Sequence, residues 1–135
     1  MIQQISVFVE NELGSIARIT DVLEKNSIDI RAIAGFDGPT YSILRIIADK
    51  PNKAVDALKK EQYSVKMSTV LAVELKDEPG SLNSMLNLLK DEGIGINYIY
   101  SFVLQKKEEP WMIMHVSDMD RGEEVLRKNG YTCMP

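Results

Sequence analysis

One cysteine and one histidine are all that this chain of 135 residues has of those types. The lone Cys133 excludes an intrachain disulfide and any Cys-x-x-Cys metal or redox site, and its plain structural role is that of a buried strand residue matching Val65. His115 stands in the strand-like run Trp111 to Val116, where a structural imidazole outweighs a general base. No metal site and no cofactor are expected from such a set. Long apolar runs are missing too. Nothing approaches the ~20 residues that a membrane-crossing helix needs, and Met1-Ile2-Gln3-Gln4 runs straight into a strand with no basic region or cleavage site. The expectation is a cytoplasmic protein with no membrane partner. A basic surplus is also lacking. The net charge is −4, with nine basic and nine acidic groups in residues 1–68 against seven and eleven in 69–135. Nucleic-acid binding needs basic surface to displace counterions, so a nucleic-acid partner is excluded as well. Glu108, Glu109, Glu123 and Glu124 fall in a loop and on a helix's polar face, as solvated groups.

What the chain does have is a repeat. Residues 5–30, ISVFVENELGSIARITDVLEKNSIDI, recur as 71–96, LAVELKDEPGSLNSMLNLLKDEGIGI, at an offset of 66. Val7/Val73, Glu12/Glu78, Gly14/Gly80, Ser15/Ser81, Leu23/Leu89, Ile28/Ile94 and Ile30/Ile96 are identical pairs. One unit is built twice, giving domains 1–68 and 69–135, each near the lower size for independent folding. In each copy a strand alternates, Ile5, Val7 and Val9 or Leu71, Val73 and Leu75. A Gly-Ser pair then precedes a helix with one apolar stripe, Ile16, Ile19, Val22 and Leu23 answered by Leu82, Met85, Leu88 and Leu89. Asn26-Ser27 and Glu92-Gly93 end the helices, and Ile28-Asp29-Ile30 or Ile94-Gly95-Ile96 restarts an alternating strand.

The run Asp77-Glu78-Pro79-Gly80-Ser81-Leu82, then a helix, then Gly93-Ile94-Gly95-Ile96 resembles the ACT domain, a small ligand-binding module of amino-acid metabolism. The first copy resembles it too, with Leu13 where proline is usual. The resemblance covers nearly the whole chain, twice. It implies an α+β fold of two ferredoxin-like βαββαβ units, with four-stranded antiparallel sheets paired side by side.

The rest of each copy agrees with that order. Asp37-Gly38-Pro39-Thr40 is turn chemistry between second and third strands, Tyr41 to Ala48 is the third strand, Asp49-Lys50-Pro51 starts a second helix, and Tyr63 to Met67 is the fourth strand. The second copy has a longer hairpin loop, Gln105 to Pro110. Aligning Asp49 with Asp118 makes it three residues longer. Its second helix is expected over Met119 to Asn129 and its last strand over Gly130 to Met134. Only Ser68 and Thr69 separate one copy's last strand from the next copy's first. In the ferredoxin-like arrangement the second strand is an edge, and two units can join through such edges.

The loop before the first helix is the candidate site. A glycine without Cβ lets backbone approach a ligand, and the helix start offers unpaired N–H groups suited to a carboxylate. The candidates there are Asn11, Leu13, Gly14 and Ser15, and Asp77, Pro79, Gly80 and Ser81. The resemblance implies ligand contacts at the loop's Asn or Asp, its glycine and a polar residue opening the second strand. These fall on Asn11, Gly14 and Asp29, and on Asp77, Gly80 and Gly95. Gly95 departs from the pattern, and Asn97 on the same face is its substitute. Loop and second-strand start lie about 20–25 Å apart in one sheet, so pockets are expected at an interface between domains. If the two copies pair, Asn11 and Gly14 face Gly95 and Asn97, and Asp77 and Gly80 face Asp29. The resemblance implies a non-catalytic sensor that binds an amino acid and acts on a regulated enzyme or other protein, with a homodimer left open. A small enzyme working through His115 or a carboxylate, and an interaction module using the methionine-bearing strand, are the alternatives.

Overall fold

A computed structural model describes residues 1–102 and 110–135. Most of the expected hairpin loop, with Glu108 and Glu109, lies outside the described residues. The elements are β1 (Ile2–Glu10), α1 (Ser15–Lys25), β2 (Ile30–Asp37), β3 (Tyr41–Ala48), α2 (Pro51–Lys60), β4 (Val65–Glu74), α3 (Ser81–Asp91), β5 (Ile96–Phe102), β6 (Trp111–Val116) and α4 (Met119–Lys128). They form an α+β chain with the βαββαβ pattern written twice. No helix among the described residues is long and apolar enough to cross a membrane.

The chain divides into two compact units, Gln3–Ser68 and Thr69–Pro135 together with Met1–Ile2. In the N-terminal unit the strand order is β4-β1-β3-β2. β1 runs antiparallel to β3, with Ile5 opposite Ile46 and Glu10 opposite Tyr41. β2 runs antiparallel to β3, with Asp37 opposite Ser42 and Ile30 opposite Ala48. Alternation puts Ile5, Val7 and Val9 on the face that α1 and α2 cover, where they pack with Ile19, Leu23, Leu44, Ile46, Ala54 and Leu58. Each of these side chains is withdrawn from water, which stabilises the unit by about 1.5–3 kcal/mol per large aliphatic residue.

The C-terminal unit repeats the design with β4, β6 and β5. Leu71, Val73 and Leu75 meet Met85, Leu89, Met114, Val116 and Leu126 in its core. Its last strand is only a bridge, Val73 opposite Cys133, held by Glu74 N–H to Thr132 O and Met134 N–H to Ala72 O, both at 2.9 Å. The Met1 ammonium donates to Met134 O at 2.9 Å and lies 3.5 Å from Glu123 Oε2. The first two residues therefore belong to the unit built by the second half of the sequence.

Three expectations change. Ser68 and Thr69 do not separate two strands, because β4 runs unbroken from Val65 to Glu74; the pair carries neither glycine nor proline, and its flanks are good strand formers. Ile30 stands opposite Ala48 and Ile96 opposite Val116, so the offset of 66 has become 68 after the hairpin, which is longer by two residues rather than three. Asp49 corresponds to Ser117 and not to Asp118. Finally, Ile16 and Leu82, the first members of the two helix stripes, are 47% and 40% exposed. Both sit in the helix's first turn, at the rim of the core beside the glycine loop.

Candidate ligand-binding site

The two glycine loops are built alike. Glu12 N–H bonds Glu10 O at 2.9 Å and Ser15 N–H bonds Glu12 O at 3.2 Å; Glu78 to Lys76 and Ser81 to Glu78 repeat this at 2.9 and 3.3 Å. That turn leaves Gly14 at φ +81° and Gly80 at φ +90°, in the left-handed region. A side chain there meets the following carbonyl, so the backbone itself demands glycine. Each glycine carbonyl then opens its helix, accepting from Arg18 N–H at 3.0 Å and from Ser84 N–H at 2.9 Å. Ser15 is buried, and its hydroxyl accepts from Arg18 Nη2 at 3.2 Å. Arg18 also lies 3.8 Å from the Glu12 carboxylate, with both side chains exposed. Leu13 is wholly exposed. Asn11 is occupied structurally: its amide donates to Gly38 O at 3.1 Å and its carbonyl accepts from the Ser42 hydroxyl, tying the loop to the β2–β3 turn.

Beside each loop lies an open cavity within its own unit. The one in the C-terminal unit holds about 530 Å³ and is lined on the loop side by Glu74, Lys76, Glu78, Gly80, Ser81 and Ser84. The one in the N-terminal unit holds about 440 Å³, with Phe8, Glu10, Ser15 and Arg18 on the corresponding side. The opposite walls also correspond. They are Asn129, Gly130, Tyr131 and Thr132 in one and Glu61, Gln62, Tyr63 and Ser64 in the other. Glu61 and Asn129 cap α2 and α4, and Gln62 and Gly130 follow at φ +67° and +88°. The sequence reading missed this wall. Its signal was Tyr63/Tyr131, an identity at offset 68 that follows Leu58/Leu126 and Lys60/Lys128.

The second-strand candidates lie elsewhere. Asp29 and Asp49 exchange two bonds, Asp49 N–H to Asp29 O at 3.1 Å and Asp29 N–H to Asp49 Oδ1 at 2.9 Å. Gly95 and Ser117 do the same at 2.8 and 2.9 Å. The Asp29 carboxylate also reaches Arg31 Nε at 3.3 Å. Asn97 sits at a register shift in β5, its amide 2.8 Å from His115 Nδ1, and His115 stacks on Tyr98 with ring centroids 5.4 Å apart. Because Tyr41 is at the loop end of β3 and Ala48 is opposite Ile30, Asp29 is about 25 Å from the glycine loop of its own unit. The structure thus places Ser15 at one cavity and Pro79, Gly80 and Ser81 at the other; Asn11, Leu13 and Gly14 are not among the lining residues, and Asp29, Gly95 and Asn97 do not join them within a unit. Asp77 is exposed on its loop and is not among the cavity's lining residues.

Among the described residues no three His, Cys, Asp or Glu side chains are placed to hold a metal ion. Burial pushes the Cys133 thiol above its ordinary value, against a smaller opposite pull from Arg127, which makes it a poorer nucleophile.

A family model for the ACT domain pair matches residues 1–134. Among solved structures, protein BT0572 from Bacteroides thetaiotaomicron is similar at 32% identity and a TM-score of 0.91, over 98% of this chain and 91% of that one. The ligand-free regulatory subunit of aspartate kinase from Thermus thermophilus shares the fold at 15% identity and a TM-score of 0.68, over 93% and 88% of the two chains. Aspartokinase alpha and beta subunits share it at 17% identity and a TM-score of 0.63, over 93% and 90%. No curated protein matches the chain. The doubled βαββαβ unit, the glycine at each first-helix start and the match from end to end agree, and the chain belongs to the ACT domain pair family.

Proposed function

We propose that this chain is a non-catalytic regulatory protein that binds a free amino acid at its glycine-loop cavities and passes occupancy to a partner protein, in the first place an enzyme of amino-acid metabolism. The observation that carries this reading is the recurrence of one cavity at the same place in each unit, with charges of both signs in its lining. Glu10, Glu61 and Arg18 line the first cavity, and Glu74, Glu78 and Lys76 the second, two carboxylates and a cation each time. A zwitterion is the small solute that answers both signs, its carboxylate to the cation and its ammonium to an acid. Volumes of about 440 and 530 Å³ fall in the range of small-ligand sites. ACT domains are regulatory modules, and the fold is shared with a protein named as the regulatory subunit of a kinase. The cytoplasm, where free amino acids and the enzymes that make them meet, is the compartment this reading implies.

A site shared between domains also belongs to the proposal. β2 is hydrogen-bonded to β3 and β5 to β6, and each has no second ladder among the described residues. Strand addition by a second copy at such an edge would carry Asp29, or Gly95 and Asn97, toward another domain's glycine loop, making the working unit a homodimer. Thermal-shift measurements with the twenty common amino acids test the core of the reading, since a ligand at about 100 times its Kd adds about 2.7 kcal/mol to stability. At least one amino acid should raise the midpoint, and a flat panel would remove the sensor reading. Sedimentation with and without that amino acid tests the dimer.

A further inference from the structure

The two repeat-related cavities each hold two carboxylates and a cation, but at positions that do not correspond: Glu10 stands where Lys76 does and Glu61 where Asn129 does, while Ser15/Ser81, Ser64/Thr132 and Tyr63/Tyr131 match. Where the C-terminal cavity has Glu74, the N-terminal one has Phe8, and where the first has Ser84 the second has Arg18. Tyr41 is a further wall of the N-terminal cavity, so Phe8, Tyr41 and Tyr63 give it three aromatic residues. Phe8 and Tyr41 are 46% and 55% exposed, as are Leu13 and Ile16 on the adjoining loop and helix turn, at 101% and 47%. Four of the large apolar side chains most open to water thus gather at this one end of the unit, where scattered single ones would be ordinary. The C-terminal cavity has one aromatic residue, Tyr131, and Ser84 and Asn129 where the N-terminal one has Arg18 and Glu61; Ser81 and Thr132 are matched there by Ser15 and Ser64.

Arg18 gives the N-terminal cavity its cation. The guanidinium has five N–H donors in a planar fork. Its recorded partners are Ser15 Oγ at 3.2 Å and the Glu12 carboxylate at 3.8 Å, both through Nη2. Nη1 lies 3.7 Å from where a Cβ on Gly14 would be, beside the left-handed glycine that starts α1. A carboxylate placed there meets the guanidinium, whose Nη2 also bonds the hydroxyl of the buried Ser15. Glu10 and Glu61 supply the opposite sign on the same lining.

Resting on the amino-acid reading above, we propose that the N-terminal cavity selects an amino acid with a large apolar side chain, its carboxylate on Arg18, its ammonium toward Glu10 or Glu61, and its side chain against Phe8, Tyr41 and Tyr63. The C-terminal cavity, with Ser84 in place of the guanidinium and Glu74 in place of Phe8, does not take that ligand. The chain is then a sensor with two unlike inputs.

Calorimetric titration of the full chain tests this with L-phenylalanine and L-leucine, with 3-phenylpropionate and phenethylamine as analogues lacking one charged group, and with L-serine. Phenylalanine or leucine should bind, and each analogue should bind at least tenfold more weakly than phenylalanine. Arg18→Ser, which installs the residue of the other copy at an exposed position, should weaken the apolar ligand at least tenfold with the thermal midpoint of the free protein little changed. Ser84→Ala should leave that affinity as it was. Unchanged affinity in Arg18→Ser, or equal loss in Ser84→Ala, overturns the assignment. Binding of serine or another polar amino acid, with neither phenylalanine nor leucine bound, overturns this inference and leaves the proposed function standing; binding of no amino acid at all overturns both.

Discussion

Gly14 and Gly80 have a reason to be glycine before any ligand arrives, because their φ values of +81° and +90° cost another residue about 1–2 kcal/mol. Gly14→Ala and Gly80→Ala should each lower unfolding stability by that amount in urea titration. A loss of binding in these variants must therefore be judged against folded protein. Asn11, expected to touch ligand, spends its amide on Gly38 O and its carbonyl on the Ser42 hydroxyl. Asn11→Ala should cost about 1 kcal/mol, and it should speed amide exchange around Gly38 more than around α2. Cys133 offers a pH test. Burial raises its thiol above the ordinary 9.0, so in alkali the unfolded chain gives up this proton first. The contribution to stability is whole below about pH 9 and is lost as pH rises through the folded value. Stability should fall above about pH 9 with a slope that Cys133→Ala reduces.

The second helix of each copy illustrates how one element is fitted to its own sheet. Gly122 lies buried in α4, and a Cβ on it would stand 2.9 Å from Val116 Cγ2 and 3.5 Å from Leu71 Cδ1. At the corresponding position of α2 is Ala54, fully buried and accommodated. Alanine in place of glycine would favour the helix by about 1 kcal/mol. Against that, the β-branched Val116 cannot turn away cheaply, and overpacking of this kind costs about 1–3 kcal/mol. The clash is expected to win, so Gly122→Ala should destabilise the protein by about 1 kcal/mol, whereas Ala54→Gly should also destabilise, by leaving a void and loosening α2. A stabilised Gly122→Ala would mean that α4 can move off β6 freely.

For the molecule as a whole, the compact units are Gln3–Ser68 and Thr69–Pro135 together with Met1–Ile2, so the first two residues go with the second copy. Met1 bonds Met134 O at 2.9 Å and packs with the core that Leu71, Val73 and Leu89 build. Deleting Met1 and Ile2 should therefore lower the stability of the C-terminal unit by about 1–2 kcal/mol. Hydrogen exchange should detect the loss at Ala72 to Glu74 and Cys133 to Met134, sooner than at Leu44 to Ile46. Protection lost first around β3 would assign these residues to the other unit.

The repeat, its helix and strand order and the ACT resemblance were legible in the sequence because they rest on local periodicity and on backbone demands. Alternation buries Ile5, Val7 and Val9, and a left-handed turn calls for Gly14 and again for Gly80. Of the loop side of the cavities, Ser15, Pro79, Gly80 and Ser81 were candidates in the sequence, whereas Phe8, Glu10, Arg18, Glu74, Lys76 and Ser84 were not. The opposite walls were not legible. Glu61 to Ser64 and Asn129 to Thr132 come to the loop only because antiparallel strands return the chain to the end of β1 and of β4, with Phe8 N–H on Ser64 O and Glu74 N–H on Thr132 O. Nor could spacing tell that Asn11 is spent on the β2–β3 turn, that the hairpin is longer by two residues, or that Met1 belongs to the second unit. Those are contacts between residues far apart in the chain, and a side chain's partners across such distances are decided by packing, which a local pattern does not encode.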